Sequence, residues 1–450
     1  MTHATLTAKV ETWLLQETLS DPDILELFGA LCQRLNAVGI PLERAALSWP
    51  TLHPLFQAEQ IYWRLGEGAQ LFQYRHDATS SGAFEASPFN HVLVHGLDMM
   101  RRRLDGAEAL LDFPVLEELA EEGFTDYLMT STRFSIAEVK GFRGGKSGIM
   151  ASWSTRRPGG FSDTDLEALA RVQRVFAVAC HSAIQKRVMV NLADAYLGAT
   201  AAARALSGEV RRGDGERIRA IIWHSDLRRS TRLSNQMAPE AYLDLLRSYY
   251  DCTAQSVIDE GGEILEFIGD AVLAIFPVRG DTGGPEAARA AMRAMEKALD
   301  RREAWLAGRE AAAGADAGVN GGAIGVADGM DGRDMLNFSI SMTIGEVMFG
   351  NIGVPTRLTF SAIGPAVNKV ARLDELSKIL GRAVLATREV AQVDPDRWTS
   401  IGPQRLRDFD QPVELFTRLC ARDAFVPEAA PDASPTTAVA GIIPPAAAAS

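Results

Sequence analysis

Apolar positions change their period several times along this 450-residue chain, and each change marks an element. Between residues 22 and 38 they recur at helical spacing. Ile24, Leu27, Phe28, Leu31 and Leu35 share one face, and Gly39 is placed to end the helix. From about 40 to 180 short strand and helix patterns alternate. Leu128–Ile136 and Lys146–Ser154 read as strands, and Ser162-Asp-Thr-Asp165 reads as the cap of a long helix through Leu166, Leu169 and Val172 to Ala179. Asp165 and Glu167 then fall in its first turn, where the helix dipole favours carboxylates. The helical period runs on through Val188, Leu192, Tyr196 and Leu197 to about residue 208 and breaks in Gly208–Arg212.

Residues 219–420 alternate strand and helix again. The strand Arg219–His224 leads to a turn at Ser225–Ser230, then to a helix over Pro239–Val257 and another from Pro285 to about Gly308. Strands follow at Asn337–Ile344, Gly345–Gly350 and Leu358–Ile363, and a helix from Pro365 carries Asn368 and Arg372. The most informative stretch is Gly261–Phe276. Leu265, Phe267 and Ile268 lie before Gly269-Asp270, and Val272, Leu273, Ile275 and Phe276 after it, which reads as a tight hairpin. A carboxylate at the joint of so apolar a ribbon needs a partner, and a divalent cation is the expected one. A second acid, Glu266, stands one short strand away. The tail after Val426 has too little bulky apolar content to fold and is expected to be disordered.

Composition sharpens this picture at four points. The length predicts two or three domains, and 47% hydrophobic with 23% charged residues is ordinary globular material. A formal charge of −12 offers no basic excess for nucleic acid or an anionic membrane, so neither is an expected partner. Arg101-Arg102-Arg103 lies among acids and reads as a solvated helix face. Cys32, Cys180, Cys252 and Cys420 show no CxxC spacing, as expected for reduced thiols rather than a zinc site. The start of the chain lacks a basic stretch followed by an apolar run, and no apolar segment of about 20 residues occurs, so a cytoplasmic chain is expected. His91 and His95, four apart without a third ligand, read as ordinary helix positions.

Four pieces in fixed order carry the chemistry. They are Asp226-Leu-Arg-Arg-Ser-Thr231, the Gly261–Asp270 hairpin, Gly345-Glu-Val-Met-Phe-Gly-Asn-Ile-Gly353, and Ile363-Gly-Pro-Ala-Val-Asn368-Lys-Val-Ala-Arg372-Leu. Together they resemble the catalytic domain of class III nucleotide cyclases, the adenylate and guanylate cyclase family. The resemblance implies a ferredoxin-like βαββαβ domain in an α+β, multidomain chain. It also implies two Mg²⁺ (or Mn²⁺) ions per site, held by Asp226, Leu227 and Asp270. Two strand-end carboxylates side by side repel unless a hard cation lies between them, so the residues alone point the same way. By the same resemblance Asn368 orients the ribose of a purine nucleoside triphosphate and Arg372 stabilises the α-phosphate. A guanidinium fork matches such charge, and four-residue spacing puts both on one helix face. Arg407, in Leu406-Arg407-Asp-Phe-Asp-Gln-Pro, is the candidate triphosphate contact.

Base choice follows from hydrogen bonding. Family members that take ATP usually have Lys at the position of Glu266 and Asp or Thr at that of Ser361; guanylate cyclases usually have Glu and Cys. Ionised Glu266 only accepts, so it suits the N1–H and N2–H₂ donors of guanine, and Ser361 discriminates little. The pair leans towards GTP, with an ATP-specific adenylate cyclase as the alternative. The first motif departs from the family where Arg229 and Ser230 replace Gly and Phe. A Cβ at 229 is expected to strain the phosphate-wrapping turn, or Arg229 adds a phosphate contact. This departure keeps open a degenerate cyclase that serves as a nucleotide-binding signalling module. A diguanylate cyclase is disfavoured because no Gly-Gly-Asp/Glu-Glu-Phe hairpin occurs.

The resemblance implies a homodimer with the active sites at its interface, because one domain carries both half-site sets. Gly148–Trp153 and the Ser162-capped helix resemble the C-terminal half of a GAF domain, a module that senses a small molecule or dimerises. The expected organisation is a helical segment at 1–39, a GAF-like sensor at 40–182 and a helical linker at 183–218. The cyclase domain then spans 219–424, followed by the tail at 425–450.

Overall fold

The computed structural model of the chain describes residues 3–20, 22–76, 82, 84–134, 148–280, 283–316 and 335–418. It divides into two compact units, Met1–Tyr196 and Leu197–Ser450. The predicted tail and Cys420 lie outside the described residues.

The first unit opens with α1 (His3–Leu19) and α2 (Ile24–Ala37), followed by the strands β1 (Arg44–Pro50), β2 (Phe56–Arg64) and β3 (Gly68–Arg75). Next come α3 (Pro88–His95), β4 (Met99–Arg103), α4 (Pro114–Glu121), β5 (Asp126–Arg133), β6 (Gly148–Thr155) and α5 (Asp163–Leu197). The sheet has the order β3-β2-β1-β6-β5-β4, antiparallel throughout. The expected apolar face of α2 is buried, and it packs with Trp153, Val172 and Phe176 in one core. Val92, Leu116, Leu119 and Phe124 form a second core with Tyr127 and Met129 of β5. Ser162 and Asp165 cap α5 reciprocally: the Asp165 amide donates to Ser162 Oγ at 3.3 Å, and the Ser162 amide donates to Asp165 Oδ2 at 2.8 Å.

Two expectations for this half are corrected. Arg101–Arg103 is not a helix face but the strand β4. Arg101 and Arg103 both donate to the fully buried Asp126, and Arg102 to Asp112, so charge pairing offsets three consecutive arginines in a sheet. The helical run to 208 is also interrupted. Gly198 takes φ 83°, which an L side chain resists, and the chain restarts as α6 (Ala199–Leu206).

The second unit continues through β7 (Gly215–Leu227), α7 (Ser230–Gln236), α8 (Pro239–Cys252), α9 (Ala254–Asp259), β8 (Glu263–Ile268), β9 (Ala271–Pro277) and α10 (Gly284–Asp316). Next come β10 (Phe338–Val354), β11 (Arg357–Ile363) and α11 (Pro365–Leu380). The last elements are β12 (Val384–Thr387), α12 (Arg388–Ala391), β13 (Trp398–Gln404) and β14 (Val413–Arg418). The sheet order is β13-β14-β12-β10-β7-β9-β8, with β11 also on β10. Its segment β10-β7-β9-β8 is the ferredoxin-like βαββαβ arrangement expected from sequence. Leu245, Tyr249, Ala291 and Met295 cover one sheet face with Trp223 and Phe338, while Ala366 and Val370 of α11 cover the other with Ile222, Ile275 and Val347.

Here too boundaries move. The helix expected over 239–257 breaks at Thr253, whose hydroxyl donates back to the Tyr249 carbonyl at 2.8 Å. The two strands expected on either side of Gly345 are one long β10. Gly345 does not end a strand; it admits a helix, since a Cβ there would lie 2.6 Å from that of Ala366.

Candidate functional site

Strand alternation decides which way the first motif faces. In β7, Ala220 and Ile222 point into the core under α11, so His224 and Asp226 share that face. Asp226 pairs with Ala271 across β7 and β9, and the Leu227 amide donates to the Asp270 carbonyl at 3.3 Å. The strand end and the hairpin turn thus meet at one corner. Tyr250 fixes the turn, its hydroxyl donating to the Gly269 carbonyl at 2.6 Å.

Asp226 is only 8% exposed. Burial, then the neighbouring Asp374 carboxylate, pushes its carboxyl up to about 7; Lys378 pulls the other way and Asp270 adds to the rise. Lys378 Nζ donates to Asp226 Oδ2 and lies 3.4 Å from Asp374 Oδ2, while Ser339 Oγ donates to Asp374 Oδ1. The site therefore already attracts a cation. An all-oxygen donor set of Asp226, Asp270 and the Leu227 carbonyl suits a hard divalent ion that keeps water or phosphate ligands. Among the described residues no group of three or more His, Cys, Asp or Glu could hold a metal, so any ion here needs such outside ligands.

Asn368 and Arg372 both lie on α11, which begins with Pro365 at its first position. Asn368 is exposed. Arg372 is held by acids, donating to Glu375 at 2.6 Å and to Asp408 at 3.0 Å. Arg407 reaches the same two acids at 3.5 and 3.6 Å, so Arg372 and Arg407 gather around one acidic pair. Neither is paired with Asp226, whose cation is Lys378.

Glu266 and Ser361 stand on different strands. Ser361 is buried on β11 opposite Gly350, whereas Glu266 is exposed on β8 opposite Leu273, just past a register shift at Ile264. Glu266 is therefore a solvated carboxylate within one chain. Arg229 takes φ 58°, the left-handed conformation that glycine adopts without strain.

Sequence reasoning missed Lys378, Asp374 and Ser339. A signal was present: Ala366, Val370, Leu373 and Ser377 form the buried stripe of α11, and Asp374 sits inside it. An acid in a buried helix stripe calls for a cation, and Lys378 is one turn on.

No family model matches the chain. In sequence it is 28% identical over 174 residues to an adenylate cyclase of Anabaena cylindrica, covering 39% of this chain and 30% of that one. It is 28% identical over 251 residues to an uncharacterised protein of Mycobacterium tuberculosis, covering 55% of this chain and 41% of the relative. The chain thus spans well under half the length of these curated relatives. Among solved structures it is similar to the adenylyl cyclase CyaB from P. aeruginosa, with 23% identity, 47% of this chain, 100% of that one and a TM-score of 0.36. It is also similar to the guanylyl cyclase Cya2, with 24% identity, 47% and 99% coverage and a TM-score of 0.34. The resemblance drawn from the four motifs and the adenylate cyclase relative agree. No helix among the described residues is long and apolar enough to cross a membrane.

Proposed function

We propose that this chain is a class III nucleotide cyclase, converting a purine nucleoside triphosphate to its cyclic 3′,5′-monophosphate and pyrophosphate. The observation that carries the reading is the shared corner of Asp226 and Asp270, formed by strand pairing and the 3.3 Å bond between Leu227 and Asp270. Asp226, Asp270 and the Leu227 carbonyl would hold two Mg²⁺ or Mn²⁺ ions. Bound there, such ions supply acidification of the ribose 3′-hydroxyl and neutralisation of the leaving pyrophosphate.

The chain's own residues do the rest. Asn368 orients the ribose and Arg372 offers its guanidinium to the α-phosphate, where charge builds in the transition state. Arg407 binds the triphosphate. Glu266 accepts from guanine N1–H and N2–H₂, and Ser361 donates to O6, which favours GTP over ATP. The site is completed by a second copy of this chain, one copy giving Asp226 and Asp270 and the other Asn368 and Arg372. The first unit acts as a GAF-like sensor for a small molecule; its antiparallel sheet, flanked by helices and continued by α5, supports that role.

The left-handed Arg229 favours a second reading, a nucleotide-binding module without turnover. Incubating the purified chain with ATP and GTP separately, in Mg²⁺ and in Mn²⁺, decides between them. cGMP formation is the expected result. cAMP without cGMP would overturn the base assignment, and no product from either nucleotide would overturn the enzyme.

A further inference from the structure

We propose that Lys378 is a built-in counter-cation that competes with a divalent ion for Asp226 and transfers to Asp374 when the ion binds. The inference rests on the cyclase reading of the Asp226–Asp270 corner. It is carried by the placement of five charged groups. Asp226 and Asp374 are 8% and 3% exposed, and Asp270 is close enough to act on Asp226. Two cations face them. Lys378 bonds Asp226, and Arg228, 5% exposed, donates to Ser377 on the same turn of α11.

Three acids face two bases, and Lys378 is placed between two of the acids. Its Nζ already lies 3.4 Å from Asp374 Oδ2, so leaving Asp226 requires a small swing rather than a new rotamer path into solvent. Asp374 is prepared to receive it, because Ser339 Oγ holds its other oxygen. A half-buried ammonium with only one acid partner would lose that partner on metal entry; one with a second, fixed acid would not. Lys378 thus keeps two buried carboxylates compatible without metal, and weakens the affinity of the corner for the ion.

The test is Mn²⁺ binding to the full chain, followed by the electron paramagnetic resonance of free Mn²⁺, with thermal unfolding in metal-free buffer alongside. Lys378→Met is expected to bind Mn²⁺ at least about fivefold more tightly than wild type, because a competing charge at contact distance is gone. It is also expected to unfold at lower temperature without metal and to gain more from Mn²⁺ than wild type does. Unchanged or weaker binding by Lys378→Met, on a protein whose Mn²⁺ binding needs Asp270, would overturn the role of Lys378 and leave the cyclase reading standing. If only Lys378→Met binds Mn²⁺, the competition is supported in its strongest form. If neither protein binds Mn²⁺, the competition between Lys378 and the ion is overturned, and turnover with ATP and GTP decides the cyclase reading separately. Should Lys378→Met fail to fold without metal, recovery of its far-UV circular dichroism on adding Mn²⁺ supports the proposal, and no recovery overturns it.

Discussion

Arg372 donates to Asp408 at 3.0 Å, and Asp408 holds that position with a left-handed backbone at φ 68°. Glu375 holds the same guanidinium from within α11. Arg372 is therefore occupied by acids of its own chain, while the carboxylate of Asp226 is occupied by Lys378. Among the described residues the proposed metal carboxylate and the proposed phosphate-binding arginine are thus not paired with each other, which is compatible with the proposed two-copy site.

Mixing two inactive variants tests this. Asp270→Asn leaves Asn368 and Arg372 intact, and Asn368→Ala leaves the carboxylates intact. In a two-fold homodimer half of the randomly paired molecules are mixed, and each mixed dimer has one wild-type site of two, so about one quarter of wild-type activity should return on mixing. The measurement is cyclic nucleotide formed by each variant alone and by an equimolar mixture after subunit exchange. No recovery would mean that each chain uses its own two sets.

The proposed base choice should reverse when what the site donates is changed. Glu266 is exposed on β8, so Glu266→Lys removes no packing, and Ser361→Thr keeps a hydroxyl on β11. A lysine donates where guanine also donates but adenine N1 accepts. The double variant should shift the ratio of kcat/KM for GTP over ATP by on the order of 10- to 100-fold towards ATP, the worth of one or two mismatched polar contacts. Steady-state rates with each nucleotide check it, and an unmoved ratio would remove Glu266 from base recognition.

The hairpin at Asp270 was legible because its apolar residues on both sides of Gly269-Asp270 can form little else, and Pro365 marked the start of α11 by its fixed φ. What was not legible depends on partners distant in sequence. Arg101–Arg103 is a strand because Asp126, more than twenty residues on, receives two of its guanidinium groups. Gly345 is set by Ala366 approaching from another element rather than by a strand end, and β10 continues through it in register with β7. Lys378 belongs to the corner only because α11 lies over the Asp226 face of β7, a fact of layering that no local pattern carries.

Arg229 makes the backbone of the first motif a place where strain can be measured. A non-glycine residue in the left-handed region costs roughly 1–2 kcal/mol, partly offset because glycine loses more freedom on folding. Arg229→Ala removes the side chain and keeps the strain; Arg229→Gly removes both. The glycine variant should therefore be the more stable of the two by about 1 kcal/mol, raising the unfolding midpoint of the second unit by roughly 2–4 °C over the alanine variant. Calorimetry of the two proteins side by side reads the difference, and equal midpoints would mean that the turn relaxes without cost.

The α5 cap gives the first unit a pH dependence of defined sign. Burial raises the Asp165 carboxyl, but hydrogen bonds from Ser162 and the Arg157 guanidinium outweigh it, so the folded-state value lies below the ordinary range. A carboxyl depressed by folding stabilises above its unfolded value near 4 and loses that contribution as pH falls through the folded one. The start of α5 should therefore be well protected from amide exchange at pH 7 and fray on acidification below about 4. Asp165→Asn abolishes the ionised acceptor of the Ser162 amide and hydroxyl, and a lost cap costs about 1 kcal/mol, so exchange in residues 163–169 should quicken about fivefold at pH 7. In that variant the acid-induced fraying should shrink, because only the non-capping carboxyls Asp163 and Glu167 remain in that turn to protonate. Exchange mass spectrometry of both proteins at pH 7 and below pH 4 separates the outcomes: fraying of the same size in Asp165→Asn would place the acid-sensitive group elsewhere in the unit.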